Sequence, residues 1–238
     1  MLDCGGGVAN SLEDYIRTNL KYSYSQLQQD LFVAWCISNA QNKGLITSQP
    51  RYFVEIGATN GFMLSNTFFL EKLLGWSGLL CEPAKIWHQE LSKIRLCKVD
   101  LRCVTSKSGE SLDFNETPNP EFSTLSRYEG ADSHLQSRLD GVHYEVESVS
   151  LNDLLTFHNS PEVIDYLSID TEGSELDILQ NLDFEKYSFR VLTIEHNFTS
   201  KREAIQQLLT ENGYKHVLSN VSQQDDWFVH SSPSSIFE

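Results

Sequence analysis

The sequence predicts an α/β fold built on a mostly parallel seven-stranded sheet that ends in an antiparallel hairpin. Three observations point to it. Short β-rich runs (RYFVEI at 51–56, IDYLSI at 164–169, RVLTI at 190–194) are largely apolar, as strands covered by helices on both faces require. Stretches of helical spacing separate most of these runs, which is what parallel pairing needs to return the chain. The last two runs have only a polar turn between them, so they must pair antiparallel.

Each element has its own signal. Leu27, Leu31, Ala34 and Trp35 recur at helical spacing and predict an amphipathic helix over 26–38. The first strand, 51–56, runs into a tight turn at Gly57. A helix over 66–74 precedes a strand at 77–83 stopped by Pro83, then a helix over 84–93 and a third strand at 96–99. Strand pieces at 106–114 and 144–149 flank the poorly patterned stretch 115–143. A helix at 151–158, a strand at 164–169 and a helix at 174–181 follow. The strand at 190–194 leads to a helix over 201–212 closed by Gly213. Strands at 215–218 and 227–230 form the hairpin around the polar turn 222–226. Residues 1–24 read as a leader with room for one helix, and the triplet Gly5-Gly6-Gly7 leaves open a cut from something longer. One domain is expected over 25–230, with a flexible tail at 231–238.

Composition narrows the function. With 40% hydrophobic and 21% charged residues in 238, the chain is ordinary globular protein. A formal net charge of -15 opposes binding that depends on neutralising a phosphate backbone, so nucleic acid is not an expected partner. Six basic residues between Lys85 and Lys107 are the one modest cluster, and a solvated helix face and strand edge explains them. The longest unbroken apolar run, Leu31 to Ile37, is too short to cross a bilayer, and no signal-peptide pattern is present. Five cysteines form no C-x-x-C pair, so reduced thiols and a cytoplasmic location are expected.

Ligands of such sheets sit beyond the carboxyl ends of the strands. The first strand ends Glu55-Ile56-Gly57-Ala58-Thr59-Asn60-Gly61. Glycine at 57 and 61 permits positive φ and close backbone approach. A dinucleotide fingerprint would need glycines at 57, 59 and 62, but Thr59 and Phe62 stand there, and no phosphate-loop lysine follows. An acid before a glycine turn suits a ligand with a cationic end, as S-adenosylmethionine has; a plain strand turn is the alternative. Glu82, ending the second strand, can accept both hydroxyls of a ribose.

The segments YFVEIGATNG, SNTFFLEKLLGWSGLLCEP, DYLSIDTEGSELDIL and LTIEHN, with SQLQQDLFV upstream and VSLNDLL between, resemble the FkbM family of S-adenosylmethionine-dependent methyltransferases. The similarity runs with gaps from about Ser25 to His230 and is weakest over 115–143, where FSTLSRYEG occupies a region such proteins often use for cofactor- or acceptor-facing loops. The resemblance implies a Rossmann-like class I methyltransferase fold. It implies Glu55, Gly57, Ala58, Asn60 and Gly61 around the methionine part, Glu82 on the ribose and Asp100 on the adenine side. It also implies an acceptor hydroxyl on a sugar or natural product.

A sugar hydroxyl is a poor nucleophile at neutral pH, so a base or metal must deal with its proton. Asp170, Glu172, Glu175, Glu195 and His196 stand at the ends of the fourth and fifth strands. Asp170, Glu172 and His196 are the candidate catalytic groups. Asp170 and Glu195, with His196 or Asn197, form the candidate ligand set for Mg²⁺ or Mn²⁺, since hard oxygen donors favour those ions. His196 reads equally as a structural histidine or a general base, and Glu175 as an acid stabilising a helix N-terminus. Four tryptophans, Trp35, Trp76, Trp87 and Trp227, suit core packing better than a sugar-stacking surface, and the segment 26–30 reads either as a lid or as a packing helix. The expected activity is methyl transfer to a carbohydrate hydroxyl. The alternatives are a phenolic or other small-molecule acceptor, or a non-catalytic scaffold.

Overall fold

A computed structural model describes residues 11–232. Residues 1–10 of the expected leader (1–24) and most of the expected tail, 233–238, lie outside the described residues. The elements in chain order are α1 (Leu12–Asn19), α2 (Gln29–Asn42), β1 (Tyr52–Ile56), α3 (Phe68–Lys72), β2 (Ser77–Cys81), α4 (His88–Ile94), β3 (Lys98–Asp100), β4 (Cys103–Thr105), β5 (Ser111–Glu116), β6 (Thr124–Leu125) and α5 (Leu135–Arg138). They continue with β7 (Val142–Ser150), α6 (Leu151–Phe157), β8 (Val163–Ile169), α7 (Glu175–Gln180), β9 (Ser188–Glu195), α8 (Arg202–Glu211), β10 (Tyr214–Val217) and β11 (Asp225–His230). Among the described residues no helix is long and apolar enough to cross a membrane.

Seven strands form the main sheet in the order β10-β11-β9-β8-β1-β2-β3. Pairing is parallel from β9 through β3, and β11 runs antiparallel to both β9 and β10. This is the predicted sheet with its hairpin, and its strand order is that of the Rossmann-like class I methyltransferase fold. Neighbouring residues of each central strand go to opposite faces, as the two-residue period demands. Val54, Leu79, Leu167 and Leu192 pack with Leu154, Leu155, Ile178 and Leu209 of α6, α7 and α8. Phe53, Leu80, Tyr166 and Val191 pack with Phe32, Phe69, Leu70 and Leu91 of α2, α3 and α4. Both faces being covered is why these strands read as nearly unbroken apolar runs.

Two differences from the sequence expectations matter for the site. Helix α2 begins at Gln29, because Gln28 adopts a left-handed φ of 60° and Asp30 turns back to cap the preceding loop through Ser23 Oγ (2.7 Å) and the Tyr24 amide (2.9 Å). Most of α2 is buried rather than amphipathic, since Leu12, Tyr15 and Ile16 of α1 pack onto the same cluster. The second difference is a small four-stranded sheet, β4-β7-β5-β6, assembled partly from the stretch that carried little pattern. Its long members, β5 and β7, pair antiparallel from Ser111↔Glu147 to Glu116↔Val142. The segment 117–141 hangs from this pair and folds back over the carboxyl ends of the main sheet.

Candidate active site

A cavity of ≈ 440 Å³ opens at the carboxyl ends of β1, β2, β8 and β9, roofed by the segment 120–134. Its volume lies within the range of about 300–1,000 Å³ usual for small-molecule sites. The crevice is open rather than plugged.

The β1 turn supplies its floor. Gly57 has φ +86°, and a Cβ there would sit 1.7 Å from the Asp170 carbonyl oxygen. Glycine is therefore required at 57 by the approach of β8 to the turn, as well as by its φ. Ala58 lines the cavity beside it. Asn60 and Gly61 lie behind the turn. Asn60 Oδ1 accepts from the Phe62 and Met63 amides (3.0 and 2.9 Å), and a Cβ on Gly61 would strike Leu91 and Arg95. These two residues shape the turn and are not among the lining residues.

Glu55 lines the cavity, but its carboxylate is taken up by the protein. It accepts from Ser65 Oγ, from the Asn66 amide at 2.7 Å and from Thr67 Oγ1, with Arg95 Nη1 3.6 Å away. Arg95 is fully buried, donating also to Glu71, to the Gly61 carbonyl at 3.1 Å and to Thr67 Oγ1 at 2.8 Å. This corrects the expectation of a solvated basic cluster at 85–107 for its central member: Arg95 is the internal brace of the β1 turn.

Glu82 is placed differently. Its two oxygens accept from the Thr59 amide (2.7 Å) and the Ala84 amide (2.8 Å), which aims the carboxyl group along the cavity wall with acceptor capacity left over. Burial pushes its pKa up to about 8, against the pull of those two amides. Asn66, absent from the sequence-based candidates, also lines the cavity. Its Nδ2 donates to Ser168 Oγ (2.9 Å), while its buried Oδ1 has no hydrogen-bond partner. Asp100 does not line the cavity. Arg102 binds it through Nε (2.9 Å) and Nη2 (2.6 Å), and His158 Nε2 lies 2.8 Å away, which together hold the Asp100 carboxyl down to about 2.

At the far end, β8 and β9 pair with Ile169 opposite Ile194, so the residues that follow, Asp170 and Glu195, emerge side by side. Oxygens of Asp170, Glu172 and Glu195 lie within 4.8 Å of one another. Glu172 reaches the cluster through a left-handed turn (φ 58°) ahead of Gly173. Burial first, and repulsion from nearby carboxylates second, raise all three carboxyl pKa values, that of Asp170 to about 7 against the pull of a hydrogen bond with Glu195. Glu175 stands apart, its Oε1 accepting from the Thr171 and Gly173 amides at 3.0 Å, so it ties the turn to the start of α7.

His196 does not join this cluster. As the residue next to Glu195 it falls on the other side of the chain, where Nδ1 accepts from the Phe198 amide (3.0 Å) and Nε2 lies 3.6 Å from Asp226. The carboxylate set is thus Asp170, Glu172 and Glu195, in place of Asp170, Glu195 and His196. The four tryptophans also stay out of the cavity; Trp227 stacks on Phe32 in the core. Of the segment 26–30, Gln26 and Gln29 line the cavity and Asp30 does not.

The roof is the part sequence reasoning named least. Phe122, Ser123 and Leu125 of the FSTLSRYEG segment line the cavity, as does His134. Arg138 fastens this roof. Its buried guanidinium donates to the Phe122 carbonyl (2.9 Å), the Glu129 carbonyl (3.0 Å), both oxygens of Asp132 (2.8 and 2.9 Å) and Glu172 Oε2 (2.7 Å). A single arginine in a polar stretch carries no periodic signal, and only the tertiary fold reveals these partners.

A glycine-turn crevice at the switch point of this strand order, with a buried carboxylate after the second strand, defines a Rossmann-like methyltransferase. The sequence pattern of the Methyltransferase FkbM domain matches residues 55–216, well over half of the chain. The chain belongs to this family of S-adenosylmethionine-dependent methyltransferases. No curated protein matches it. Among solved structures it is similar to the N-terminal domain of human METTL16 in complex with SAH, at 14% identity and TM-score 0.45, covering 91% of this chain and 77% of that one. A second crystal form of the METTL16 methyltransferase domain gives 12% identity and TM-score 0.47 over 92% and 77%. The ribosomal protein L11 methylase of Lactobacillus delbrueckii subsp. bulgaricus gives 13% and 0.39 over 84% and 76%.

Proposed function

We propose that the protein transfers a methyl group from S-adenosylmethionine to a hydroxyl of a carbohydrate, with a divalent cation at the carboxylate cluster. The observation that carries this reading is the convergence of Asp170, Glu172 and Glu195 on the cavity that holds Glu82 and Asn66.

The residues present fit the cofactor. Glu82 has acceptor capacity for the ribose hydroxyls, and the unpartnered Asn66 Oδ1, beside Glu55, suits the donors of an ammonium group. When bound, S-adenosylmethionine supplies an electrophilic methyl group. The chain's own work is to orient the acceptor oxygen in line and to remove its proton. With no cation on the cluster, a carboxylate titrating near neutrality is suited to that proton transfer, and Asp170, raised to about 7, meets the condition. The three clustered carboxylates also fit Mg²⁺ or Mn²⁺, which would offset their repulsion and lower the pKa of an acceptor hydroxyl. Polar groups of Ser123, Ser133, Asn197 and Gln224 mixed with the rings of Phe122 and Phe198 support a carbohydrate over a wholly apolar acceptor.

An acceptor screen with labelled methyl donor, run with and without EDTA, tests the activity. Asp170→Asn should lower turnover by about 100-fold or more while S-adenosylhomocysteine affinity by calorimetry stays within a few-fold of wild type. Undiminished turnover would remove Asp170 from the chemistry, and turnover indifferent to EDTA would remove the cation.

A further inference from the structure

The roof of the cavity carries a stacked pair of rings. Phe122 closes a 3-10 turn and His134 precedes α5, and their rings stack at 4.2 Å between centroids with an interplanar angle of 13°. Both line the cavity and both are half-buried. Phe122 belongs to none of the three apolar clusters of the fold. Phe198, 70% exposed, adds a further ring to the lining from the β9 side.

We infer that the Phe122–His134 stack is the acceptor subsite, taking a ring compound that bears a hydroxyl and no anionic group, and that Arg138 is the residue positioning it against the carboxylate cluster. This rests on the methyl-transfer reading above and extends it to the acceptor. Glu55, Glu82, Glu121, Asp170, Glu172 and Glu195 line the cavity, and among the described lining residues there is no lysine or arginine. A phosphate or carboxylate on the acceptor would lose its hydration with no cationic side chain in the lining to offset the loss. A stacked aromatic pair instead offers an apolar face, which both the C–H face of a pyranose and a phenol ring can cover.

Arg138 positions the stack. All five of its N–H donors are used, on Phe122, Glu129, Asp132 and Glu172, so the ring-bearing turn, the segment before His134 and the carboxylate cluster are held in one rigid group. Asp132 also fixes the His134 amide at 2.7 Å. Asp132, His134 and Glu172 come within 4.8 Å of one another, but both Asp132 oxygens are already on Arg138, so this trio does not read as a cation site.

The test uses the full chain loaded with S-adenosylhomocysteine and three probes followed by saturation-transfer NMR: methyl β-glucopyranoside, phenol and glucose 6-phosphate. One of the two neutral rings should give a signal, and which one identifies the acceptor as sugar or phenol; glucose 6-phosphate should give none. Phe122→Ala should weaken the neutral-ring signal by about fivefold to tenfold, the value of one aromatic contact, with S-adenosylhomocysteine affinity by calorimetry within about twofold. Arg138→Lys, which keeps the charge and loses the fork, should reduce the ring signal while leaving that affinity within a few-fold. An unchanged ring signal in Phe122→Ala, an equal response to the phosphate, or no neutral-ring signal from loaded wild-type protein would each overturn the inference. Failure of wild-type protein to bind S-adenosylhomocysteine at all would instead overturn the methyl-transfer reading beneath it.

Discussion

Raising the pH should tighten the grip of the protein on S-adenosylhomocysteine, and Glu82 should be the reason. Its carboxyl group is buried and titrates at about 8 in the free protein, while two ribose hydroxyls are best accepted by the ionised form. At about pH 6 only roughly one molecule in a hundred carries the carboxylate, against about half at pH 8, so apparent affinity should rise roughly fiftyfold across that interval and little more above it. Calorimetry in two buffers of different ionisation enthalpy should count nearly one proton released per ligand at about pH 6 and almost none at about pH 9. Glu82→Gln should abolish both effects. Its amide would have to point an N–H group at the Thr59 or the Ala84 amide, each a donor, which costs about 1–3 kcal/mol and should hold affinity low even at high pH. A flat affinity profile with no proton release in wild type would show that Glu82 does not change protonation on binding, and would refute its assignment to the ribose. The ligand-free protein should show the converse. The folded state holds this proton more tightly than the unfolded chain, so the Glu82 contribution to stability falls as pH climbs from about 4.5 toward 8.

Two further changes test the scaffold. Gly57→Ala should lower stability by about 3 kcal/mol or more, because the methyl group meets the Asp170 carbonyl at 1.7 Å in a left-handed turn; an unshifted urea midpoint would mean that β1 and β8 can part there without loss. Arg95→Met should cost about 3–5 kcal/mol, since it strands Glu55 and Glu71 in the interior. A loss below about 1 kcal/mol in chemical denaturation would show that the brace is dispensable.

Much of the site could be read from neighbouring residues alone. The acids that end strands, Glu55, Glu82, Asp170 and Glu195, follow from knowing where strands stop, and all four line the cavity. The His196 assignment failed on a rule that the sequence already contained: adjacent residues at a strand end point to opposite sides, so Glu195 and His196 do not share a ligand set. Asp100 was less accessible to such reasoning. Its place at a strand end is right, but Arg102 and His158, one near in sequence and one far, claim its carboxylate. Glu55 shows the same limit, because its partners Ser65, Thr67 and Arg95 meet only once α3 and α4 have packed on the sheet.

What the sequence determined by itself is the main sheet: strands buried on both faces must be apolar along their whole length, and helices that cover them must repeat near every fourth residue, so both leave a periodic trace. What the tertiary structure alone decided is the second sheet and the roof it carries. Residues 115–143 contain short elements held by a few buried apolar residues, Leu125 and Tyr128 among them, and by side-chain hydrogen bonds, and neither recurs with a period. Arg138 is the clearest case: its position in the sequence is unremarkable, and its partners, from Phe122 to Glu172, are set by the path of the chain through space.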